Sequence, residues 1–174
     1  MQDRSITIRR AQPTDAPEIA RLVGMLAEYD RVRLNEPVDA GTLSRHLDPT
    51  TLPHCEALLA VDEKEGRSVG YALFFHTYST FLTSFGLWLE DLFVLEPYRG
   101  RGIGFGLFTR VCAIARDRNC ARVDWSVLNW NEPALNFYDR IGATTISDRN
   151  LMRIEAPAIT NLAGETAGPG SDST

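Results

Sequence analysis

The sequence predicts one α/β domain in which helices cover both faces of a single mixed sheet. The chain has 174 residues, a length typical of one domain. Apolar residues make up 44% and charged residues 24%, which is the balance of a soluble globular protein. Segments with strand and helix character follow each other in the order β-α-α-β-β-β-α-β-α-β. This order requires antiparallel neighbours as well as parallel crossovers, so we expect a mixed sheet.

The first half of the chain predicts a strand, two helices and a hairpin. Residues 6–9 alternate apolar and polar side chains, as a half-buried strand does. The first helix is indicated by apolar residues spaced i, i+3, i+4 and i+7, which share one helical face: Ile19, Leu22, Val23 and Leu26. A shorter helix is expected over 39–47. The polar turn at 63–66 separates two apolar runs, 57–61 and 69–75, and this pattern is typical of a hairpin.

The second half predicts alternating strands and helices, followed by a tail. Strands are expected at about 87–94 and 123–127, with a helix over about 103–119 between them. Asn131 is expected to cap a helix that runs to Ile141, and Gly142 to end it. A last strand is expected over 151–155. Small and polar residues dominate from position 156 onward, so we predict a domain at 1–155 and a disordered tail at 156–174.

Composition and charge exclude several classes of protein. The net charge of -5 argues against a nucleic-acid partner, since such proteins usually carry a basic excess. The longest apolar runs have about five residues, whereas a membrane span needs about 20. No apolar signal core follows Met1, so secretion is not expected. Three widely spaced cysteines fit neither a disulfide framework nor a zinc site. We therefore expect a cytoplasmic protein without a metal.

A glycine-rich turn between the predicted strand 87–94 and the helix after it carries the strongest functional signal. Residues 99–106 read RGRGIGFG. The first N–H groups of a helix have no internal partners, and the helix dipole adds partial positive charge there. Glycines let a phosphate approach the backbone, and Arg99 and Arg101 add full charges. The third glycine of the dinucleotide fingerprint is missing, and so is the Gly-Lys-Ser/Thr of the Walker loop. The turn therefore predicts a phosphate site of another kind.

The motif Arg99-x-x-Gly102-x-Gly104 resembles the pyrophosphate-binding motif of the GCN5-related N-acetyltransferases (GNATs). The preceding segment LEDLFV at 89–94 looks like that superfamily's fourth strand, and WNEPALNFY at 130–138 looks like its following helix. The combination is most similar to the diamine (spermidine/spermine) and thialysine acetyltransferase branch. LAEYD at 26–30 and FHTYST at 75–80 also fit that branch. The resemblance covers about residues 6–155.

The resemblance implies a GNAT fold, with a mostly antiparallel sheet whose fourth and fifth strands splay apart. Acetyl-CoA is then the co-substrate, and its pantetheine arm lies between these two strands. One backbone N–H of the fourth strand is expected to polarise the thioester carbonyl. The residues implied in cofactor binding are Leu92, Phe93, Val94, Arg99, Gly100, Arg101, Gly102, Ile103, Gly104, Phe105, Asn131 and Ala134.

The implied reaction is direct attack of a primary amine on the thioester. An alkylammonium has a pKa near 10.4, so only about one molecule in two thousand is neutral at pH 7. Glu90 is the candidate base, because alternation predicts that it shares an apolar strand face with Trp88 and Leu92. Asp91 is expected on the opposite face. Tyr138 matches the family's acid position and would protonate the leaving thiolate. No covalent intermediate is implied, so no cysteine is needed as a nucleophile.

The acceptor is less well defined by the sequence. The resemblance assigns Tyr29, Asp30, Asp124, Trp125 and Ser126 to its binding site. The segment 142–150 departs from the diamine branch, because Arg149 and Asn150 stand where that branch carries acidic residues. Three readings stay open: an enzyme for a small amine, an enzyme for a peptide or protein amino group, and a non-catalytic acyl-CoA-binding module.

The sequence also predicts a homodimer. Residues 81–88 read FLTSFGLW, which is unusually apolar for the strand connection expected there. Exposed apolar patches of this kind often mark interfaces, and dimers are common in the family that the chain resembles. This segment or the last strands would form the interface.

Overall fold

The computed structural model describes residues 5–52 and 54–165. It divides into two compact units, residues 1–130 and 131–174. The first unit contains the sheet strands β1 to β5 and the helices α1 to α3. Their bounds are β1 Ile6–Arg10, α1 Ala16–Tyr29, α2 Ala40–His46, β2 Glu56–Asp62, β3 Arg67–Ser79, β4 Ser84–Val94, α3 Ile103–Asp117 and β5 Val123–Asp124. The second unit contains α4 Glu132–Arg140 and α5 Ala156–Glu165.

The five strands form one mixed sheet in the order β1-β2-β3-β4-β5. The first three neighbouring pairs are antiparallel, and only β4 and β5 are parallel. The parallel pairing is short, because it joins only Leu87 to Val123 and Trp88 to Asp124. Beyond Trp88 the outer edge of β4 has no neighbouring strand among the described residues. The predicted mixed sheet and its splay between strands four and five are therefore present.

Helices lie on both faces of the sheet, as predicted. Phe93 and Val94 are adjacent in β4 and so point to opposite faces. The ring of Phe93 lies 6.4 Å from that of Tyr29 at the end of α1. Val94 instead faces Gly104 of α3. The core between these layers is built from fully buried side chains, namely Ile19, Leu22, Leu58, Leu59, Val69, Tyr71, Phe74, Leu87, Leu89, Leu107 and Val111.

The predicted helices α1 and α2 are present, and an aspartate lies at the start of each. Asp39 caps α2 by accepting from the Gly41 N–H at 2.9 Å. Asp15 instead accepts from the Gln12 N–H at 2.7 Å and from Arg9, which fixes the turn before α1. Residues after Asp15 therefore enter the helix in a set direction, so that Ile19 and Leu22 meet the sheet.

Four expectations about the strands and the tail differ from the structure. Only residues 81–83 of the apolar segment 81–88 lie in the connection, because β4 begins at Ser84 and β3 and β4 stay paired as far as Ser79 and Ser84. β5 has two residues rather than five. Residues 151–155 form no strand in the described part of the chain, and the helix Ala156–Glu165 stands where the tail was expected to begin. An apolar run cannot become a strand without a partner edge, and composition alone does not exclude a helix. The rest of the expected tail, 166–174, lies outside the described residues.

Among the described residues, no helix is both long enough and apolar enough to cross a membrane.

Candidate functional site

The glycine-rich turn has the backbone geometry of an anion site. Gly100 and Gly102 adopt φ values of 73° and 80°, in the left-handed region that favours glycine. Gly102 is the N-cap of α3 and contributes no side chain. Within the described chain, the N–H groups of Ile103, Gly104 and Phe105 have no backbone or side-chain acceptor. Three free donors at the positive end of a 15-residue helix are suited to a diphosphate.

We predict that Gly102→Ala weakens acetyl-CoA binding and lowers stability. A left-handed conformation costs an L-residue roughly 1–2 kcal/mol, so the turn would shift and misalign the free N–H groups. Gly24→Ala is the matched control, since this glycine lies inside α1 with no heavy atom near an added Cβ. There alanine should stabilise the helix by about 1 kcal/mol. Calorimetric titration with CoA and thermal unfolding measure the two effects. Unchanged CoA affinity in Gly102→Ala would contradict the assignment of this turn.

The two arginines of the turn do different things. Both side chains were expected at the anion site. Arg99 instead donates from Nε to the Val94 carbonyl at 2.9 Å, and its guanidinium lies 4.3 Å from the centre of the Tyr29 ring. Arg101 lies 5.2 Å over the Tyr98 ring, on the turn itself. The Arg99 side chain therefore connects the end of β4 to α1, because the open β4 edge offers it the carbonyl of Val94.

The open edge of β4 lies directly before this turn. Leu92, Phe93 and Val94 are hydrogen-bonded to β3 on one side, while β5 has already ended on the other. An unpaired strand edge offers N–H and C=O groups to an extended ligand. Val94 is the exception, since its carbonyl accepts from Arg99. The strand edge at which the pantetheine arm is expected is therefore not covered by another strand of the described chain.

A β-bulge changes the predicted faces of the two acidic residues of β4. Leu73 pairs with Asp91, whereas the next residue of β3, Phe74, pairs with Leu89. Glu90 is thus the extra residue of a bulge. Asp91 consequently shares a face with Trp88, whereas Leu92 lies on the other face. The prediction that Glu90 shares a face with Leu92 and that Asp91 lies opposite was wrong, because it assumed regular alternation.

Glu90 and Asp91 have different surroundings. The Glu90 carboxylate is exposed and accepts from the Trp88 indole N–H at 2.7 Å. Asp91 is partly buried and accepts from the Tyr71 hydroxyl at 2.9 Å. Burial raises the pKa of Asp91 to about 6; the Tyr71 hydrogen bond opposes this, and the charges of Glu90 and Asp30 add to it. A carboxyl group with a pKa near 6 can exchange protons at neutral pH.

Asp30 and aromatic side chains lie on the same face of the sheet as Asp91. Burial raises the pKa of Asp30, which lies next to Tyr29 at the end of α1. The Tyr29 ring lies 6.4 Å from Phe93 and 5.9 Å from Trp130. Three acidic groups are therefore grouped beside an aromatic wall, an arrangement that favours a cationic ligand. The sequence ranked Asp91 below Glu90 and did not assign Tyr71 and Trp130 to the site; the adjacent acids of LED at 89–91 were the one available signal.

The substrate residues expected on β5 lie in different surroundings. Asp124 pairs with Trp88 and therefore lies on the same sheet face as Asp91, where it forms an ion pair with Arg122 at 2.7 Å. Trp125 packs edge-on against Phe108 of α3, with ring centres 5.3 Å apart, on the sheet face opposite to Tyr29. Ser126 is exposed.

The second unit contains the remaining predicted residues. Asn131 caps α4, where its side-chain carbonyl accepts from the Ala134 N–H at 3.2 Å. Tyr138 packs on Phe137 with ring centres 5.0 Å apart. Burial raises the pKa of Tyr138 to about 12. This phenol is therefore protonated throughout the physiological pH range.

The described residues contain no group of three or more His, Cys, Asp or Glu side chains that could hold a metal ion.

A mixed sheet that opens beside a glycine-rich helix start is the architecture of an acyl-CoA-dependent transferase. The Acetyltransferase (GNAT) family model matches residues 23–143. The chain therefore belongs to the GNAT family and is an N-acetyltransferase, as the motif at 99–104 predicted.

Individual relatives indicate the branch of the GNAT family to which the chain is similar. The chain is 34% identical over 170 residues to a Bos taurus thialysine N-epsilon-acetyltransferase, covering 92% of this chain and 98% of that protein. It is 40% identical over 90 residues to an Arabidopsis thaliana L-ornithine N5-acetyltransferase, covering 52% of this chain and 40% of that one. Among solved structures, an integron cassette protein from the mobile metagenome of V. cholerae is similar with a TM-score of 0.74 and 24% identity, covering 92% of this chain and 99% of that one. The resemblance to the diamine and thialysine branch is thereby confirmed.

Proposed function

We propose that this enzyme transfers the acetyl group of acetyl-CoA to a primary amine of a small cationic molecule, such as a diamine, a polyamine or a lysine-like amino acid. The observation that carries the proposal is the grouping of Asp30, Glu90 and Asp91 beside the open edge of β4. That edge leads into the turn that supplies free N–H groups. Relatives named for thialysine and for ornithine, both amino acids with a side-chain amine, support an acceptor of this kind.

The residues around the turn fit acetyl-CoA. The N–H groups of residues 103–105 would hold its diphosphate, and Arg101 would add charge. The edge of β4 at residues 92–94 would hold the pantetheine arm by backbone hydrogen bonds. When bound, acetyl-CoA supplies an activated thioester. Asn131 and Ala134 at the start of α4 belong to the proposal as further cofactor contacts.

Asp30 and Asp91 would bind the acceptor ammonium. Burial raises the pKa of both carboxyl groups, which means that it destabilises their charged forms. A cation placed between the two carboxylates would stabilise these charges by Coulomb attraction. Tyr29 would cover the alkyl part of the acceptor. Asp124, which pairs with Trp88 on the same face, would add a further acidic group, and Trp125 and Ser126 stay proposed as acceptor contacts.

Deprotonation of the amine is assigned to the two acidic residues of β4. Asp91 has the pKa of a base that works near pH 7, and it would accept the proton. Glu90 is exposed and adjacent, and it would pass the proton to water. Tyr138 would stabilise the leaving thiolate. Because its pKa of about 12 far exceeds that of a thiol, near 8.5, it would act as a hydrogen-bond donor whose bond strengthens as charge develops on sulfur.

A thiol-release assay tests the acceptor. The purified enzyme with acetyl-CoA is offered diamines, thialysine, ornithine, neutral amino acids and short peptides. We expect the highest kcat/KM for small acceptors with a second charged amine, and little activity with peptides. A preference for peptides would instead support a protein acetyltransferase. Absence of turnover with bound acetyl-CoA would support a binding module.

Arg99 is predicted to act on the acceptor and not on the cofactor. Arg99→Met removes the cation from the Tyr29 ring and the donor from Val94, interactions worth together about 1–3 kcal/mol. We expect the KM of the acceptor to rise about tenfold or more while the KM of acetyl-CoA changes less than about threefold. Arg101→Met is the matched control and should show the opposite pattern. Equal effects of both variants on acetyl-CoA would contradict this division.

The homodimer remains part of the proposal. The tip of the β3–β4 hairpin exposes large apolar side chains to solvent, namely Tyr78, Phe81 and Leu82. Burying such a patch between two copies would remove it from water. Sedimentation at micromolar concentration should give a dimer, and Phe81→Asp should shift it to a monomer. A cytoplasmic location likewise remains a proposal.

A further inference from the structure

A cavity lies in the first unit, away from the glycine-rich turn. It has a volume of about 690 Å³ and lies where α3 ends, beside β3 and the chain between α2 and β2. Its lining residues are His46, Leu52, His54, Cys55, Phe75, His76, Phe85 and Arg118. Arg118 follows α3, whereas Gly102 precedes it. The 15 residues of the helix span roughly 22 Å, so this cavity is separate from the anion site of the turn.

Arg118 at one wall of the cavity belongs to a charged group with one excess positive charge, whose second cation, Arg10, lies outside the cavity lining. Arg118 donates two hydrogen bonds to the Glu56 carboxylate, one of them from Nη2 at 2.7 Å. Arg10 donates to the same carboxylate at 2.9 Å. Two cations thus share one anion, and one positive charge is left without an anion in this group. Arg118 uses three of its five N–H donors, two on Glu56 and one on His76, so two donors remain for a ligand.

Imidazole groups contribute polar atoms to this cavity. His54 lines it, but its Nδ1 is inaccessible to water and therefore points away from the open space. Any hydrogen bond from His54 to a ligand must come from Nε2. The imidazole groups of His46 and His76 line the same cavity and can also donate.

The remaining walls are apolar. Phe75, Phe85 and Leu52 line the cavity, and both Leu52 and Phe85 are largely exposed. The volume lies within the range of pockets that hold small molecules. An apolar body would cover these side chains, while an anionic group would reach the Arg118 side.

We propose that this cavity binds a small organic anion with an aromatic body, whose carboxylate contacts Arg118 and His54. The site is independent of the acetyl-transfer reaction, so its ligand is neither the acceptor amine nor acetyl-CoA. The positive charge at Arg118 favours an anionic group, and the phenylalanine side chains favour an aromatic ring in the ligand.

The probe is phenylacetate, compared with phenylacetamide, which has the same shape without the charge. Isothermal titration or ligand-observed NMR measures binding to the full chain. We expect phenylacetate to bind at least about tenfold more tightly, the usual worth of a charge-assisted hydrogen bond. Arg118→Met should abolish this preference. In that variant Arg10 and Glu56 form a neutral pair, so no excess positive charge remains to attract the carboxylate. Arg116→Met, an exposed arginine of the same helix paired with Asp117, is the control and should leave it unchanged.

Cysteine alkylation gives an independent readout. Cys55 lines the cavity, whereas Cys112 and Cys120 do not. Phenylacetate should slow alkylation of Cys55 by iodoacetamide, followed by mass spectrometry, and leave the other two thiols unaffected. His54→Phe, which fills the cavity, should remove that protection while acetyl transfer continues.

Three results would overturn the proposal. One is equal affinity for phenylacetate and phenylacetamide. Another is a preference for phenylacetate that survives Arg118→Met. The third is protection of Cys55 that depends on protein concentration without any ligand, since a second copy of the chain would then cover the cavity.

Discussion

Tyr138→Phe is expected to reduce kcat about 10²–10⁴-fold, the range in which a general acid contributes, while the affinity for acetyl-CoA stays unchanged. The substitution removes one hydroxyl and preserves the ring that packs on Phe137. CoA would then have to leave as a thiolate without a hydrogen-bond donor. Single-turnover thiol release with saturating acceptor measures the change.

Two controls separate chemistry from structure in this variant. Tyr78→Phe makes the same change at an exposed position of β3 and should leave kcat unaltered. The pH profile gives the second control, because a phenol with a pKa of about 12 loses its proton only in strong alkali. The wild-type enzyme should therefore show no loss of activity from Tyr138 below about pH 11. Unchanged turnover of Tyr138→Phe would remove this residue from the mechanism.

The sequence predicted the helices α1 to α4 and the backbone of the glycine-rich turn because their signals are local. The spacing of Ile19 and Leu22 is fixed by the helical period, and the glycines at 100 and 102 are needed for backbone angles that other residues avoid. The family motif at 99–104 added the prediction that the protein binds acetyl-CoA. Neither the hydrophobic periodicity nor the composition could have predicted this.

The faces of Glu90 and Asp91 could not be predicted, because they depend on pairing with another strand. One extra residue in β4 between the partners of Leu73 and Phe74 reverses the alternation, and nothing in the sequence LED marks that insertion. The pKa of Asp91 is also a product of the tertiary structure, since it requires burial together with Asp30 from α1. The same holds for Arg99, whose stacking on Tyr29 joins residues 70 positions apart.

Asp91→Asn is expected to make the enzyme more stable and less active. An aspartate ordinarily has a pKa of 3.8, and burial raises the pKa of Asp91 to about 6 in the folded protein. The folded state therefore binds the proton more tightly, and the free energy of unfolding falls as pH rises from about 4 to about 6. Above pH 6 the full cost applies, about 3 kcal/mol from the two pKa values. Asparagine removes the charge and can still accept from the Tyr71 hydroxyl.

Denaturant unfolding at several pH values tests the stability effect. The variant should be more stable than the wild type by about 1–3 kcal/mol at pH 7, and the two should converge near pH 4, where Asp91 is protonated. Glu90→Gln is the matched control, since its carboxylate is exposed and should add little stability. A variant less stable than the wild type at pH 7 would show that the Asp91 charge is compensated by interactions other than those of Tyr71.

Asp91→Asn and Glu90→Gln together also show which of the two carboxylates is the catalytic base. If Asp91 deprotonates the acceptor, kcat/KM of the wild type should rise tenfold per pH unit below about 6 and level off above it, because kcat/KM reports the free enzyme. Asp91→Asn should lose about 10²-fold in kcat/KM at pH 7. The activity of this variant should then rise with pH up to the amine pKa near 10.4. Without a base in the enzyme, the neutral amine forms only by deprotonation in solution. If Glu90→Gln shows this alkaline recovery and Asp91→Asn does not, the base is Glu90, and the buried carboxylate serves to bind the ammonium.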